Sequence, residues 1–263
     1  APDRVYARRG GFIDDLASFD AARFGIMPAA AKATEPEQLL ALQVAADALA
    51  DAGYADRSFA RDKTSVVVGR GHYFGPRMVR MLDVTRGAQQ LVESLRKLLP
   101  DLSDAQITEV KKDFQARCGT YNADAAIGLV PNLAASRIAN RLDLRGPAYT
   151  VDAACASSLI AIDHGCRELA DRRCDVVLAG GVHVCHDVTF WSVFTQLGAL
   201  SRTSAIRPFD RRADGILIGE GAGIVVLKRL ADAERDGDRV YAVIRGTGIS
   251  SDGRDASAMR PSP

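Results

Sequence analysis

The segment at residues 149–159 restricts the fold and chemistry of this chain more than any other part of the sequence. It runs Tyr-Thr-Val-Asp-Ala-Ala-Cys-Ala-Ser-Ser-Leu, which predicts a short β-strand leading into a helix with Cys155 at the junction. A thiol at a helix N-terminus lies at the positive end of the helix dipole, next to unpaired backbone N–H groups. That position favours the thiolate, and the same N–H groups can stabilise an oxyanion on a carbonyl that the sulfur attacks. The segment therefore predicts a nucleophilic cysteine and covalent acyl chemistry.

The composition excludes several classes of protein. The chain has 263 residues, of which 47% are hydrophobic, and a net charge of +1. This balance predicts a packed core and gives no strong field for a nucleic acid or a membrane surface. No apolar run approaches the roughly 18–20 residues of a transmembrane helix. The five cysteines include no Cys-x-x-Cys pair, which indicates a reducing cytoplasm.

The spacing of apolar residues predicts strands that alternate with helices. Strands are expected at residues 64–69, 148–151, 175–181, 224–228 and 240–244, the third of them ending in a glycine turn. Helices are expected up to about residue 52 and at residues 76–117, 131–142 and 188–197. Another is expected after Cys155, with Leu159, Ile162, Cys166 and Leu169 on one face. Two segments, Thr34-x-x-Glu37 and Ser103-x-x-Gln106, have the spacing of a capping box. The fold class is therefore α/β, with helices on both faces of a sheet.

Motifs along nearly the whole chain resemble the β-ketoacyl synthases, the condensing enzymes of fatty-acid and polyketide assembly. The nucleophile segment at 151–159 is one of these motifs. The others lie at residues 11–28, 48–54, 136–147, 178–182, 208–215 and 219–223. Residues 70–130 are predicted to form a helical insert, and with residues 250–254 they resemble the ketosynthases of polyunsaturated-fatty-acid and long-chain glycolipid synthases.

The resemblance implies a thiolase-like fold, layered α-β-α-β-α in the complete enzyme, with the nucleophile at a strand-to-helix turn. Compared with the family, residues 1–263 are expected to be the N-terminal portion of a ketosynthase domain. The family's first strand and its C-terminal half, which carries two catalytic histidines, are expected to lie outside these residues.

The resemblance also implies a reaction. Cys155 would accept an acyl chain from the phosphopantetheine of an acyl carrier protein, and its backbone N–H would serve as an oxyanion donor. Malonyl on a carrier protein would then lose carbon dioxide and attack the Cys155 thioester in a decarboxylative Claisen condensation. Without the two histidines, residues 1–263 are expected to accept an acyl group but not to condense it.

The implied partners are an acyl carrier protein, a second copy in a homodimer and the other domains of a multienzyme synthase in the cytoplasm. No cofactor, metal, nucleic acid or membrane partner is expected. Two other classes of function stay open. A cysteine acyl hydrolase would need a histidine paired with the thiol, and none is evident in the sequence. A non-condensing partner or scaffold subunit usually lacks the cysteine, so Cys155 argues against that class.

The other cysteines and the histidines are interpreted as structural. Cys118, Cys166, Cys174 and Cys185 have no context like that of Cys155 and are expected in the core or at the surface. In a strand, His183 and Cys185 would share a face while His186 points away, which argues against a metal site. His164 would lie about 13 Å along the nucleophile helix from its start, too far to act as a base.

The remaining polar motifs also receive structural interpretations. The glycine-rich run at 219–223 leads into a predicted strand instead of a helix, so it fails as a dinucleotide fingerprint. It is expected to form a tight, closely packed turn in which Glu220 caps backbone groups. Asp210 and Asp214 are expected to be structural, and the arginine pairs at 8–9, 172–173 and 211–212 are expected at the surface.

Overall fold

The computed structural model describes residues 4–71, 75–119, 121, 123–184 and 187–254. The helices are α1 (Pro28–Ala33), α2 (Pro36–Asp51), α3 (Pro76–Leu82), α4 (Ala88–Leu98), α5 (Asp104–Cys118), α6 (Ala123–Gly128), α7 (Leu133–Arg141), α8 (Ser157–Ala170), α9 (Val188–Gln196) and α10 (Leu230–Arg235). The strands are β1 (Thr64–Gly69), β2 (Ala148–Val151), β3 (Val176–His183) and β4 (Gly221–Lys228). No helix in these ranges is long and apolar enough to cross a membrane.

The four strands form one mixed sheet in the order β2-β1-β3-β4. Strand β1 is parallel to both β2 and β3, whereas β4 is antiparallel to β3. Gly69 at the end of β1 lies opposite Val151 of β2 and Gly181 of β3. The carboxyl ends of the three parallel strands therefore meet at one edge of the sheet, which is called the carboxyl edge below.

Helices cover both faces of this sheet, as the sequence predicts. Strand β1 is buried along its whole length, and its valines alternate between the two faces. Val66 and Val68 pack in the core that α2 and α7 form on one face. Val67 packs with Ala161 of α8 on the other face. The apolar run from 64 to 69 is thus the central strand of a three-layer arrangement.

One of the two predicted capping boxes is correct and the other is wrong. Ser103 and Gln106 form the predicted box at the start of α5. The Thr34 hydroxyl instead donates to the carbonyl of Ala30, 2.8 Å away, at the end of α1. The Glu37 carboxylate forms a buried ion pair with Arg70 and therefore does not cap α2.

Two strand predictions also differ from the structure. Strand β3 does not end in a glycine turn, because Gly180 and Gly181 lie inside it and the strand continues to His183. At Gly180 a Cβ would come within 2.8 Å of the Cα of Ile224, so the glycine serves the close approach of β4. Residues 240–244 form no strand, and the sheet of the described ranges consists of β1 to β4 alone.

Residues 76–128 contain helices α3 to α6, which agrees with the predicted helical content of this region. A π-helical turn at Asp83–Gly87 joins α3 to α4, and α4 packs against α5. That the region is an insert relative to the family stays a prediction.

A buried ion pair fastens α2 to the carboxyl edge. The Arg70 Nε and Nη2 atoms lie 2.9 and 2.5 Å from Oε2 of Glu37, and both side chains are at most 10% exposed. The other oxygen, Oε1, accepts a hydrogen bond from the backbone N–H of Val184, at 3.2 Å. Burial raises the pKa of the Glu37 carboxyl, and the Arg70 guanidinium offsets part of that shift. One carboxylate therefore holds the segments that follow β1 and β3.

Removing one partner of this pair should destabilise the protein strongly. We expect Arg70→Ala to lower the free energy of unfolding by about 3–5 kcal/mol, because Glu37 would keep a buried charge without a partner. Arg23→Ala is the matched control: its pair with Asp47 spans 3.3 Å, and its side chains are 45% and 56% exposed. We expect this control to lose less than about 1 kcal/mol. Urea unfolding measures both, and equal losses would contradict the role given to the buried pair.

Candidate active site

The predicted junction between strand and helix is present at the carboxyl edge. Strand β2 ends at Val151 and α8 begins at Ser157, so that Cys155 lies in the turn just before the helix. Its side chain is free and exposed. A thiol in this position lies at the positive end of the dipole of a 14-residue helix.

The turn that carries Cys155 is tight and closed by hydrogen bonds from two side chains. Ala154 has φ +50°, a left-handed conformation that non-glycine residues seldom adopt. Its N–H donates to the carboxylate of Asp152 at 2.9 Å. The buried hydroxyl of Ser157 accepts from the N–H of Ala153 at 2.8 Å and donates to the carbonyl of Ala154 at 2.7 Å. These bonds fix the backbone on either side of Ala154 and so hold the strained residue in place.

The backbone N–H of Cys155 is available for a ligand. Within the described ranges, none of the hydrogen bonds uses this N–H. The N–H of Ala156 already donates to Ala153, and that of Ser157 donates to Ala154, at 3.1 and 3.2 Å. Cys155 thus carries both an exposed thiol and an N–H with no acceptor in the described ranges, the two groups that acyl transfer to a cysteine uses.

Two glycines set how closely α8 approaches the sheet. A Cβ on Gly69 would come within 2.6 Å of the backbone nitrogen of Ser158. A Cβ on Gly181 would come within 2.7 Å of the Ser158 Cβ. The first turn of α8 therefore rests directly on the backbones of β1 and β3, and the turn with Cys155 takes its position from this contact.

The predicted apolar face of α8 is only partly buried. Leu169 is buried as expected, and Ile162 packs partly against the same cluster. Leu159 is 69% exposed, so the expectation that it packs with them is wrong. The glycine contact explains this difference, because the side of the first turn that faces the sheet is occupied by Ser157 and Ser158.

The other described cysteines are less exposed than Cys155. Burial and the neighbouring Glu168 raise the pKa of the Cys174 thiol to about 12. Burial also raises the pKa of Cys166, which is half-buried on α8. Both thiols are poor nucleophiles at neutral pH for this reason. Cys118 is half-buried at the end of α5, and Cys185 lies outside the described residues.

The histidines of the described ranges are engaged in packing. The Nδ1 atom of His164 lies 3.4 Å from the hydroxyl of Tyr149, which itself donates to Glu168 at 2.7 Å. The ring of His183 lies 5.0 Å from that of Phe190. No group of three metal-ligating side chains occurs among the residues that the structure describes. His72, Cys185 and His186 lie outside those residues.

The acidic residues interpreted as structural hold backbone segments. Asp214 accepts from the hydroxyl of Ser201 at 2.8 Å and from the N–H groups of Arg202 and Thr203, each at 3.0 Å. These hydrogen bonds lower the pKa of its carboxyl, with the Ser201 bond contributing most. Asp210 is paired with Arg212 at 2.9 Å. Both interpretations as structural residues agree with these contacts.

The glycine-rich run at 219–223 differs from its prediction. Glu220 accepts a hydrogen bond from the N–H of Ile13, as expected of a backbone cap. The expected close-packed turn is absent from this run, because β4 already begins at Gly221 and no heavy atom lies within 4 Å of a Cβ built there. The three arginine pairs are exposed, as predicted.

Sequence reasoning missed three residues that shape this site: Gly69, Gly181 and Ser157. Gly69 and Gly181 end or interrupt otherwise apolar strands, which is the usual signal of a close backbone approach. Ser157 belongs to the nucleophile segment but carries no pattern that predicts which groups its hydroxyl binds.

The chain matches a known family over most of its length. The model of the β-ketoacyl synthase N-terminal domain covers residues 1–233. The chain therefore belongs to the β-ketoacyl synthase family.

Its relatives among curated proteins are polyketide synthases. Over 97% of its length the chain is 38% identical to one subunit of the phenolphthiocerol/phthiocerol polyketide synthase of Mycobacterium tuberculosis. Over 99% of its length it is 35% identical to the polyketide synthase PksN of Bacillus subtilis. It spans only 12% and 4% of these two proteins.

Solved ketosynthase structures share the fold. The ketosynthase from module 6 of the bacillaene synthase of Bacillus subtilis superposes with a TM-score of 0.75 at 29% identity. This match covers 98% of the chain and 37% of that structure. An oxazolomycin ketosynthase domain from Streptomyces albus gives a TM-score of 0.69 at 29% identity, covering 91% of the chain and 35% of that structure. The thiolase-like fold implied by the sequence is thus confirmed.

A methyl group at position 69 should displace the helix that follows Cys155. We expect Gly69→Ala to lower the free energy of unfolding by about 1–3 kcal/mol, because the new Cβ would overlap backbone atoms of α8. We also expect slower acylation of Cys155 by an octanoyl-pantetheine thioester, measured by mass spectrometry of the Cys155 peptide, because a displaced helix would no longer align the sulfur and the Cys155 N–H on one carbonyl. Gly221→Ala is the control, since open space surrounds that position, and it should leave both quantities unchanged. Wild-type stability and reactivity in Gly69→Ala would disprove the direct contact.

Proposed function

We propose that this chain is the nucleophile-bearing part of a ketosynthase that extends acyl chains in polyketide or fatty-acid assembly. One observation carries the proposal: Cys155 is an exposed thiol at the N-terminus of α8 whose own backbone N–H has no intramolecular acceptor within the described ranges. Membership of the β-ketoacyl synthase family and the polyketide synthase relatives support it.

In the first step the Cys155 thiolate attacks the carbonyl of an acyl thioester on the phosphopantetheine of a carrier protein. The Cys155 N–H donates to the oxyanion of the tetrahedral intermediate. Collapse of that intermediate breaks the carbon–sulfur bond to phosphopantetheine, whose sulfur leaves as a thiolate and takes a proton. The acyl chain is then held as a thioester on Cys155.

In the second step a malonyl thioester loses carbon dioxide to give an enolate. The enolate carbon attacks the Cys155 thioester, a carbon–carbon bond forms and the Cys155 thiolate is expelled. The product is a 3-oxoacyl thioester two carbons longer than the starting chain. His164 and His183 are engaged in packing, so they are poor candidates for assisting decarboxylation. His72 and His186 lie outside the described residues, and none of the four histidines has a sequence context that resembles the family's two catalytic histidine motifs. We therefore propose that residues 1–263 alone accept the acyl group without completing the condensation.

The proposal includes the partners that the chemistry requires. An acyl carrier protein presents both substrates, which makes phosphopantetheine part of the substrate and leaves the enzyme without a resident cofactor. Relatives that are polyketide synthases support a place among the domains of a multienzyme. The proposal places this multienzyme in the cytoplasm. We also propose a homodimer.

Two alternative functions predict different behaviour of the same thiol. A cysteine acyl hydrolase would pass the acyl group to water and turn over repeatedly. A non-condensing scaffold subunit would not become acylated. The exposed and geometrically fixed Cys155 favours acyl transfer over the scaffold role.

Acylation should depend on Cys155 alone among the cysteines. Incubation with an octanoyl-pantetheine thioester should add one acyl group to each wild-type chain, and Cys155→Ala should add none, as read by intact mass. Cys166→Ala is the matched control on the same helix and should be acylated like the wild type, because burial already makes that thiol a poor nucleophile.

Three outcomes would contradict parts of this proposal. An acyl adduct that persists in Cys155→Ala removes Cys155 as the nucleophile. Release of more than one equivalent of octanoate per chain supports the hydrolase instead. A 3-oxoacyl product formed from malonyl thioester by residues 1–263 shows that this part is sufficient for condensation.

A further inference from the structure

Asn132 lies at the start of α7 but does not cap it. Asparagine is favoured at this position because its side-chain oxygen accepts a hydrogen bond from the first turn of the helix. Asn132 is the N-cap residue of α7, and its side chain forms no such bond. An N-cap hydrogen bond usually stabilises its helix, so the Asn132 side chain gives up a favourable local interaction. Departures of this kind commonly mark a residue that serves another purpose.

The side chain of Asn132 is instead bonded to the strand that leads to Cys155. Its Oδ1 accepts from the N–H of Thr150 at 3.0 Å. Its Nδ2 donates to the carbonyl of Ala148 at 3.4 Å and to the hydroxyl of Ser136 at 2.7 Å. Because a backbone N–H can only donate, the Thr150 bond identifies which amide atom is the oxygen.

These bonds lie on the outer edge of β2. Within the described sheet β2 is an edge strand whose neighbour is β1. On the inner side the carbonyls of Pro147 and Val151 accept from Val66 and Arg70 at 2.8 and 3.0 Å. Ala148 and Thr150 therefore direct their backbone groups outward. A primary amide carries a donor and an acceptor side by side, as a peptide group does, so Asn132 binds this edge as a neighbouring strand would.

We propose that Asn132 is a positioning residue for Cys155. Thr150 is five residues before the nucleophile, and Val151, the next residue, is held on the inner side by Arg70. On the outer side, Asn132 binds the neighbouring residue Thr150. The end of β2 is thus hydrogen-bonded along both edges, which fixes the direction in which the chain enters the turn that carries Cys155. The orientation of the Cys155 sulfur and N–H toward an acyl carbonyl depends on that direction.

This role rests on the proposed function, and it separates two reactions of the same thiol. Acylation needs the sulfur and the N–H to be aligned on one carbonyl, and misplacement by about 1 Å can cost about 100-fold in rate. Alkylation by iodoacetamide needs only an accessible thiolate. An unfolded chain still exposes its thiol to iodoacetamide, so the two rates are compared well below the thermal transition, where the unfolded fraction of each variant is negligible. A variant that loses alignment lowers acylation more than alkylation.

The experiment compares these two rates in Asn132→Ala, Asn132→Asp and Asn140→Ala. Asn140 is an exposed residue of the same helix and is the matched control. Rates with octanoyl-pantetheine thioester and with iodoacetamide are measured on the full chain, well below the thermal transition of each variant. We expect the ratio of acylation to alkylation to fall about tenfold in Asn132→Ala, a partial loss of alignment, and to stay within twofold in Asn140→Ala.

Asn132→Asp tests the contact with Thr150. The aspartate loses the donor to the Ala148 carbonyl but keeps an oxygen that accepts from the Thr150 N–H. Because the Thr150 contact is the one nearer to Cys155, we expect this variant to retain most of the wild-type ratio. An unchanged ratio in Asn132→Ala overturns the proposal, and so does an Asn132→Asp ratio as low as that of the alanine variant. Failure of the proposed function gives a separate result: Cys155→Ala would still be acylated, whatever the ratio measured for the Asn132 variants.

Discussion

The close approach of α8 to the backbones of β1 and β3 is the contact on which the rest of the site depends. Gly69 and Gly181 place no side chain between the first turn of the helix and the sheet, so the helix packs directly on the strand backbones. Cys155 directly precedes the first turn of that helix, so the same contact determines the distance of Cys155 from the carboxyl edge. The hydroxyl of Ser157 then closes the turn, which gives the left-handed Ala154 its support. A position fixed by backbone contact is more exact than one fixed by flexible side chains.

The carboxyl edge is braced independently on the α2 face of the sheet. Glu37 binds Arg70 after β1 and the N–H of Val184 after β3, so one carboxylate spans the ends of two parallel strands. On the other face, α8 packs on the same two strands. The strand ends near the nucleophile are therefore held from both sides of the sheet, which explains how an exposed thiol can lie on a rigid support.

The sequence predicts those parts of the structure that depend on local pattern. The buried strand at 64–69, the strand at 148–151 and the junction at Cys155 follow from apolar runs and from composition. Prediction from the sequence fails where a tertiary contact overrides the local pattern. Glu37 has the spacing of a helix cap but is taken by Arg70, and Gly180 resembles a turn residue but serves the approach of β4. The direction of the Asn132 amide follows from the placement of an edge strand, which no local pattern contains.

The exposed segment at 240–244 has a practical consequence for handling the protein. Its side chains include Tyr241 at 73% exposure and Val243 at 48%. Exposed apolar side chains that lie close together favour association between chains as concentration rises. Preparations in which this segment stays uncovered should lose monodispersity on concentration, which light scattering would reveal. Charged substitutions at Val243, where no core packing is disturbed, are the natural remedy.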